Sequence, residues 1–128
     1  VPDFDFADWE RTYRGLLDQA RQANPALKIV LCTPFAAPCG KIVEGALGEY
    51  YPLRQRILAQ CCVIVERIAA DYGATLVPFH RLIADLETRL PNGDATYWVW
   101  DGIHPTPAGQ RLMADCWIGA AARNGVME

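Results

Sequence analysis

Two short, unbroken apolar runs bracket the longest periodic segment of this chain, and that arrangement leaves few folds open to it. Residues 28–33, Lys-Ile-Val-Leu-Cys-Thr, are rich in β-branched side chains and stop at Pro34. Residues 75–79, Thr-Leu-Val-Pro-Phe, form the second run. Apolarity that is continuous rather than alternating marks a strand covered on both faces, as parallel strands are in α/β proteins. Between the runs, residues 52–72 place Leu53, Ile57, Cys61, Ile64 and Ile68 along one helical edge, with Leu58, Cys62, Val65 and Ala69 beside them. Gly73 follows where a helix wants a left-handed residue. Strand, helix and strand predict a parallel, right-handed crossover unit. Two strands with three or four helices leave an apolar edge unpaired, so that edge needs a further strand as partner, from elsewhere in the protein or from another copy of the chain.

The rest of the chain supplies helices around that unit. Residues 5–23 set Trp9, Tyr13, Leu16, Leu17 and Ala20 on one face, with Asp3 or Asp5 as cap and Asn24-Pro25 as stop. Residues 35–51 carry Pro38, Gly40, Gly45 and Gly48 without sustained periodicity. They read as a loop beyond the carboxyl end of the first strand, holding at most a short helix and placed to shape a pocket. A short helix is expected over 82–90, a turn at Pro91-Asn92-Gly93 and an extended approach over 96–100. A last helix runs from 107 to about 122, burying Leu112, Met113, Cys116 and Trp117. The length of 128 residues fits a single domain spanning 1–128.

Composition excludes several classes of function. A net charge of −3 without a Lys/Arg cluster argues against a nucleic-acid surface, and no apolar run approaches the ~20 residues of a membrane span. The five cysteines, at 32, 39, 61, 62 and 116, are odd in number and lack Cys-x-x-Cys spacing. They read as buried thiols, which points to a reducing compartment such as the cytoplasm.

Chemistry concentrates in Tyr97-Trp-Val-Trp-Asp-Gly-Ile-His-Pro-Thr-Pro-Ala-Gly109. Asp101 and His104 stand three residues apart on a turn containing Gly102, just before a helix with Thr106 as N-cap and Pro107 at its first position. An imidazole acts as a general base only when its tautomer and ring orientation are fixed, and a carboxylate on one ring nitrogen does both. From the spacing alone, a capping aspartate beside an unrelated histidine is the favoured reading. On an extended segment Trp98 and Trp100 share one face and Tyr97 and Val99 the other. One face packs inside, and the other is a candidate acyl or sugar platform. The chain contains no serine.

Asp101, Gly102, Ile103, His104, Pro105, Thr106 and the Ala108-Gly109 pair resemble the last conserved block of the SGNH (GDSL-type) esterases and lipases. The resemblance continues upstream through Trp9, Tyr13, residues 28–35 and residues 72–79, in the order that family's second half runs. The Gly-Asp-Ser block, the glycine block after it and Gly-x-Asn-Asp are not in the sequence. The resemblance therefore implies the C-terminal part of a flavodoxin-like, three-layer α/β/α hydrolase. It implies His104 as base and Asp101 as its anchor, with the serine nucleophile and the oxyanion-hole glycine and asparagine outside this chain. It also implies a small ester as substrate, hydrolysed through an acyl-enzyme without cofactor or metal, and among subfamilies it is similar to bacterial carbohydrate deacetylases.

Other readings follow from the residues themselves. The chain could be an inactive structural or oligomerising module, or a flavodoxin-like binding module, although no glycine-rich phosphate loop follows either strand. Cys39 has no helix N-terminus or strand elbow that would make it a nucleophile. His80, at the carboxyl end of the second run, lacks a placed partner, and Asp101, His104, His80 and Cys39 lack the spacing of a zinc site.

Overall fold

A computed structural model describes residues 3–89 and 94–127. The expected turn at Pro91-Asn92-Gly93 lies outside the described residues, as does Leu90. Helix α1 spans Phe6–Ala23 and starts where the Asp5 carboxylate accepts the Asp8 N–H. Strand β1 is Val30–Cys32, helix α2 is the short Gly45–Glu49, and helix α3 is Tyr51–Tyr72, closed by Gly73 in the left-handed region at φ 59°. Strand β2 is Thr75–Val77, helix α4 is Phe79–Arg89 and helix α5 is Pro107–Arg123.

The two strands pair in parallel, in the register Val30 with Thr75, Leu31 with Leu76 and Cys32 with Val77. Among the described residues they form a two-stranded sheet. Leu31 belongs to the cluster that Ile64, Val65, Ile68 and Ala69 of α3 build, and Leu76 packs against it. Alternation along the strands turns Cys32, Thr75 and Val77 to the opposite face, toward α5. Helices on both faces of a parallel pair make this an α/β fold. The faces of α1 and α3 are joined at their rims by ion pairs from Arg14 to Asp71, at 2.7 Å, and from Arg67 to Glu10. Pairs this exposed fix register more than they stabilise.

Three expectations change. The second apolar run does not remain strand to residue 79. Pro78 ends β2, and its carbonyl accepts the N–H groups of Arg81 and Leu82, so α4 begins at Phe79 instead of 82. In α5 the buried positions are Gly109, Ala120 and Ala121, while Leu112, Met113, Cys116 and Trp117 are only half-buried. Small residues let the helix come close to its neighbours, and the larger side chains flank that contact. Leu16 of α1 is exposed, although Trp9, Tyr13 and Leu17 pack against the core as expected.

Residues 34–42 leave β1 as a strap that crosses the Asp101–Gly102 turn. Two α3 side chains hold it from one side: Gln55 Nε2 donates to the Ala36 carbonyl at 3.0 Å, and Cys62 Sγ to the Pro34 carbonyl at 3.3 Å. On the other side the Ala37 N–H donates to the Gly102 carbonyl at 2.9 Å and the Ile42 N–H to the Asp101 carbonyl at 3.3 Å. Two glycines make this approach possible. A Cβ on Gly40, at φ 62°, would stand 2.6 Å from the Asp101 Cα. One on Gly102, at φ 92°, would stand 2.1 Å from Ile42 Cγ2 and 2.7 Å from the Cys39 carbonyl oxygen.

Gly102→Ala combines a strained backbone with a collision against main-chain atoms and is expected to lower stability by about 2–4 kcal/mol in urea unfolding. Gly15→Ala, on a helix face where nothing lies within 4 Å of the new methyl, is the control. It is expected to be neutral or stabilising by up to ~1 kcal/mol. Equal midpoints for the two variants would refute the close approach.

Candidate active site

The Asp101 turn is the tip of a narrow hairpin. Val99 and Pro105 form an antiparallel bridge, the Trp100 N–H donates to the His104 carbonyl at 3.2 Å and the Thr106 N–H to the Trp98 carbonyl at 2.9 Å. Thr106 then caps α5. Its hydroxyl accepts the Gly109 N–H at 3.2 Å and donates to the Tyr97 carbonyl at 2.7 Å. Gly109 lets the helix press on the hairpin, since a Cβ there would sit 2.1 Å from the Trp98 carbonyl oxygen. The hairpin is thus held by the strap on one side and by α5 on the other.

Three donors converge on the Asp101 carboxylate. Oδ1 accepts the backbone N–H groups of Ile103 at 3.0 Å and His104 at 2.8 Å, and Oδ2 lies 2.7 Å from His104 Nδ1. Hydrogen bonds made to the charged form favour it, and they hold the Asp101 carboxyl down at about 2. An ionised Oδ2 accepts, so Nδ1 carries the proton and Nε2 is left as the basic nitrogen. Exposure separates the two partners: the Asp101 side chain is 14% exposed and the His104 side chain 68%. The acid is shielded while the base faces open surface. Trp100 lies beside the imidazole with ring centroids 6.1 Å apart and planes at 24°. This arrangement can take a proton from a hydroxyl brought to Nε2 and hold the imidazolium that results.

The segment ahead of the pair is not extended. Residues Ala95–Tyr97 form a 3-10 turn capped by Asp94, so a two-residue alternation does not govern their side chains. Val99 is fully buried while Tyr97 is exposed, so these two do not share a face in the expected way. Trp98 packs on the cluster of Ala37, Cys39, Ile83, Ala95 and Val99, whereas Trp100 is 53% exposed beside His104. The two indoles have different surroundings.

The remaining candidates stand apart from the pair. Cys39 is buried, its Sγ donates to the Val99 carbonyl at 2.9 Å, and burial pushes its thiol up, away from a reactive thiolate. His80 finds the partner its sequence context lacked in Thr33, whose hydroxyl lies 2.7 Å from Nδ1. All five cysteines are free. Among the described residues there is no group of three or more His, Cys, Asp or Glu able to hold a metal ion, and no helix long and apolar enough to cross a membrane. The strap is the support that reading the sequence did not find. Its only signal was Gly40 in a segment without periodicity.

Comparison with known proteins places the chain in a family. The family model for GDSL-like lipases and acylhydrolases matches residues 2–112. A structure from Parabacteroides merdae described as a GDSL-like lipase superposes with a TM-score of 0.74 at 28% identity, over 88% of this chain and 48% of the other. An acetyl xylan esterase from Geobacillus stearothermophilus gives a TM-score of 0.66 at 25% identity, over 91% of this chain and 47% of that one. An α/β hydrolase from the metagenome of Lake Arreo shares the fold, with a TM-score of 0.69 at 21% identity over 94% and 49%. No curated protein matches the chain. The chain spans about half the length of each of these structures, and the motif turn, the parallel pair and the family match agree that it belongs to the GDSL-like lipase/acylhydrolase family.

Proposed function

We propose that this chain supplies the acid–base half of a serine esterase that cleaves small acyl esters. The observation that carries the reading is the 2.7 Å contact between Asp101 Oδ2 and His104 Nδ1 on a ring that is otherwise open. With Nδ1 anchored, Nε2 takes the proton of a serine hydroxyl as its oxygen attacks the acyl carbon. The protonated ring returns that proton to the departing alcohol, leaving the acyl group on serine. Water repeats the sequence in the second half, its proton passing through Nε2 and the carboxylate leaving as product. The serine and the oxyanion-hole groups come from a polypeptide that pairs along the edge of β1 as the N-terminal half of the fold; another copy of this chain, which has no serine, would fill that edge without supplying them. The isolated chain is inactive for want of the nucleophile.

Acetyl groups on carbohydrate are the proposed substrate class. The acetyl xylan esterase among the similar structures supports it, and so does Trp100, an exposed indole beside His104 whose face suits a pyranose ring. Trp98, proposed with it from the sequence, packs instead on the cluster of Ala37, Cys39, Ile83, Ala95 and Val99. A second reading, a structural or oligomerising module, draws on β1, which among the described residues has a strand neighbour on one side only.

The purified chain is expected to hydrolyse p-nitrophenyl acetate no faster than buffer and to resist fluorophosphonate labelling. Adding the Gly-Asp-Ser half of a related esterase should restore turnover. His104→Ala should abolish that turnover and Asp101→Asn should cut it by about 10⁴-fold. A complex that assembles without turnover, or turnover indifferent to His104, would leave only the structural reading.

Asp101 also predicts an acid limb. Its folded pKa of about 2 lies below the ~3.9 of an unfolded carboxylate, so the unfolded chain binds more protons between those values. The contribution of Asp101 to stability is complete above pH ~4 and is lost as pH falls toward about 2. Asp101→Asn should flatten this part of the stability–pH curve. An unchanged curve would mean the carboxylate is not held as described.

A further inference from the structure

The strap has a second side. Opposite the Asp101 turn it walls a crevice of about 250 Å³ closed by α3 and α4. Phe35 and Pro38 of the strap, Leu58 of α3 and Ile83 of α4 make most of that wall apolar. Its polar groups are Tyr51, Gln55, His80 and Glu87, and three of them are already engaged. Gln55 Nε2 bonds the Ala36 carbonyl and the Tyr51 hydroxyl, and His80 Nδ1 lies against Thr33 Oγ1.

Glu87 differs from the other three. It is half-buried, and among the described residues no Lys or Arg lines the crevice and no ion pair involves it. Burial pushes its carboxyl up, the mark of a charge that has lost water without gaining a partner. Burial also pushes the His80 imidazole down, against the opposing pull of the Glu66 carboxylate 3.8 Å from its Nε2. A ligand that satisfies this site brings a positive charge with N–H donors for the carboxylate and a compact apolar body for the wall.

The same strap residues connect this crevice to the hairpin. Phe35, Ala36 and Pro38 line the crevice, while Ala37 donates to the Gly102 carbonyl, Cys39 to the Val99 carbonyl, and Gly40 abuts Asp101. We propose that this crevice binds a small primary ammonium on a compact apolar body, ion-paired to Glu87, and that its occupancy is transmitted through the strap to the Asp101–His104 turn. The claim is independent of the esterase reading, since it needs neither a nucleophile nor turnover.

Benzylammonium is the probe and benzyl alcohol its neutral counterpart, titrated into the isotopically labelled chain at neutral to mildly alkaline pH and read by amide NMR. Benzylammonium should give saturable shifts at Ala36, Ala59 and Ala84 with a Kd of about 1 mM. Benzyl alcohol should bind about tenfold more weakly, and Glu87→Gln should erase the difference. The amides of Gly102 and His104 should follow the same isotherm. Equal affinities for the two probes in the unaltered chain, a titration that does not saturate, or shifts centred elsewhere would overturn the site whether or not the variant folds. Saturation in the crevice with Gly102 and His104 unmoved would overturn the transmission.

Discussion

Three N–H groups within four residues point at one carboxylate, and this small electrostatic arrangement sets what the hairpin can do. Oδ1 takes the backbone donors of Ile103 and His104, and Oδ2 is thereby aimed at the imidazole. The turn does not hold itself in that shape. It depends on a strap whose Ala37 and Ile42 donate to the carbonyls of Gly102 and Asp101, and on a helix whose Gly109 lets it lean against the Trp98 carbonyl. Removing either support would free the hairpin to fray, as two-residue bridges do without tertiary packing.

The position of the turn follows from the parallel pair. β1 delivers the strap directly from its carboxyl end, and α5 lies against β2, so both supports are anchored to the same two strands. α3 contributes twice. Ile64, Val65 and Ile68 close the core beneath the strands, while Gln55 and Cys62 near its amino-terminal half tether the strap. Packing and site geometry share one helix.

Much of this was legible in the residues. Continuous apolarity at 28–33 and 75–79 marked the strands, the heavy face of α3 marked its buried edge, and the sequence from Asp101 to Pro107 carried both the acid–base pair and the helix cap. The departures have local causes. Val77-Pro78-Phe79 reads as strand because its flanks are apolar, yet proline at a helix entrance costs nothing and starts α4 three residues early. Residues 96–100 read as an extended approach, but Asp94 caps 95–97 into a 3-10 turn, and Trp98 and Trp100 end in different surroundings. The strap was invisible for a deeper reason. Its role rests on backbone carbonyls meeting backbone amides across more than sixty residues, between Ala37 and Gly102, and main-chain atoms leave no signature in side-chain pattern.

Acid and base come from a single tight bend instead of from distant parts of the fold, and this has a mechanical result. Thermal breathing of the domain displaces both groups as one body, so their separation changes little while everything around them shifts. In an assembled hydrolase the vulnerable gap is then the one between imidazole and hydroxyl, and loosening or tightening of the two halves against each other would govern the rate through that single distance.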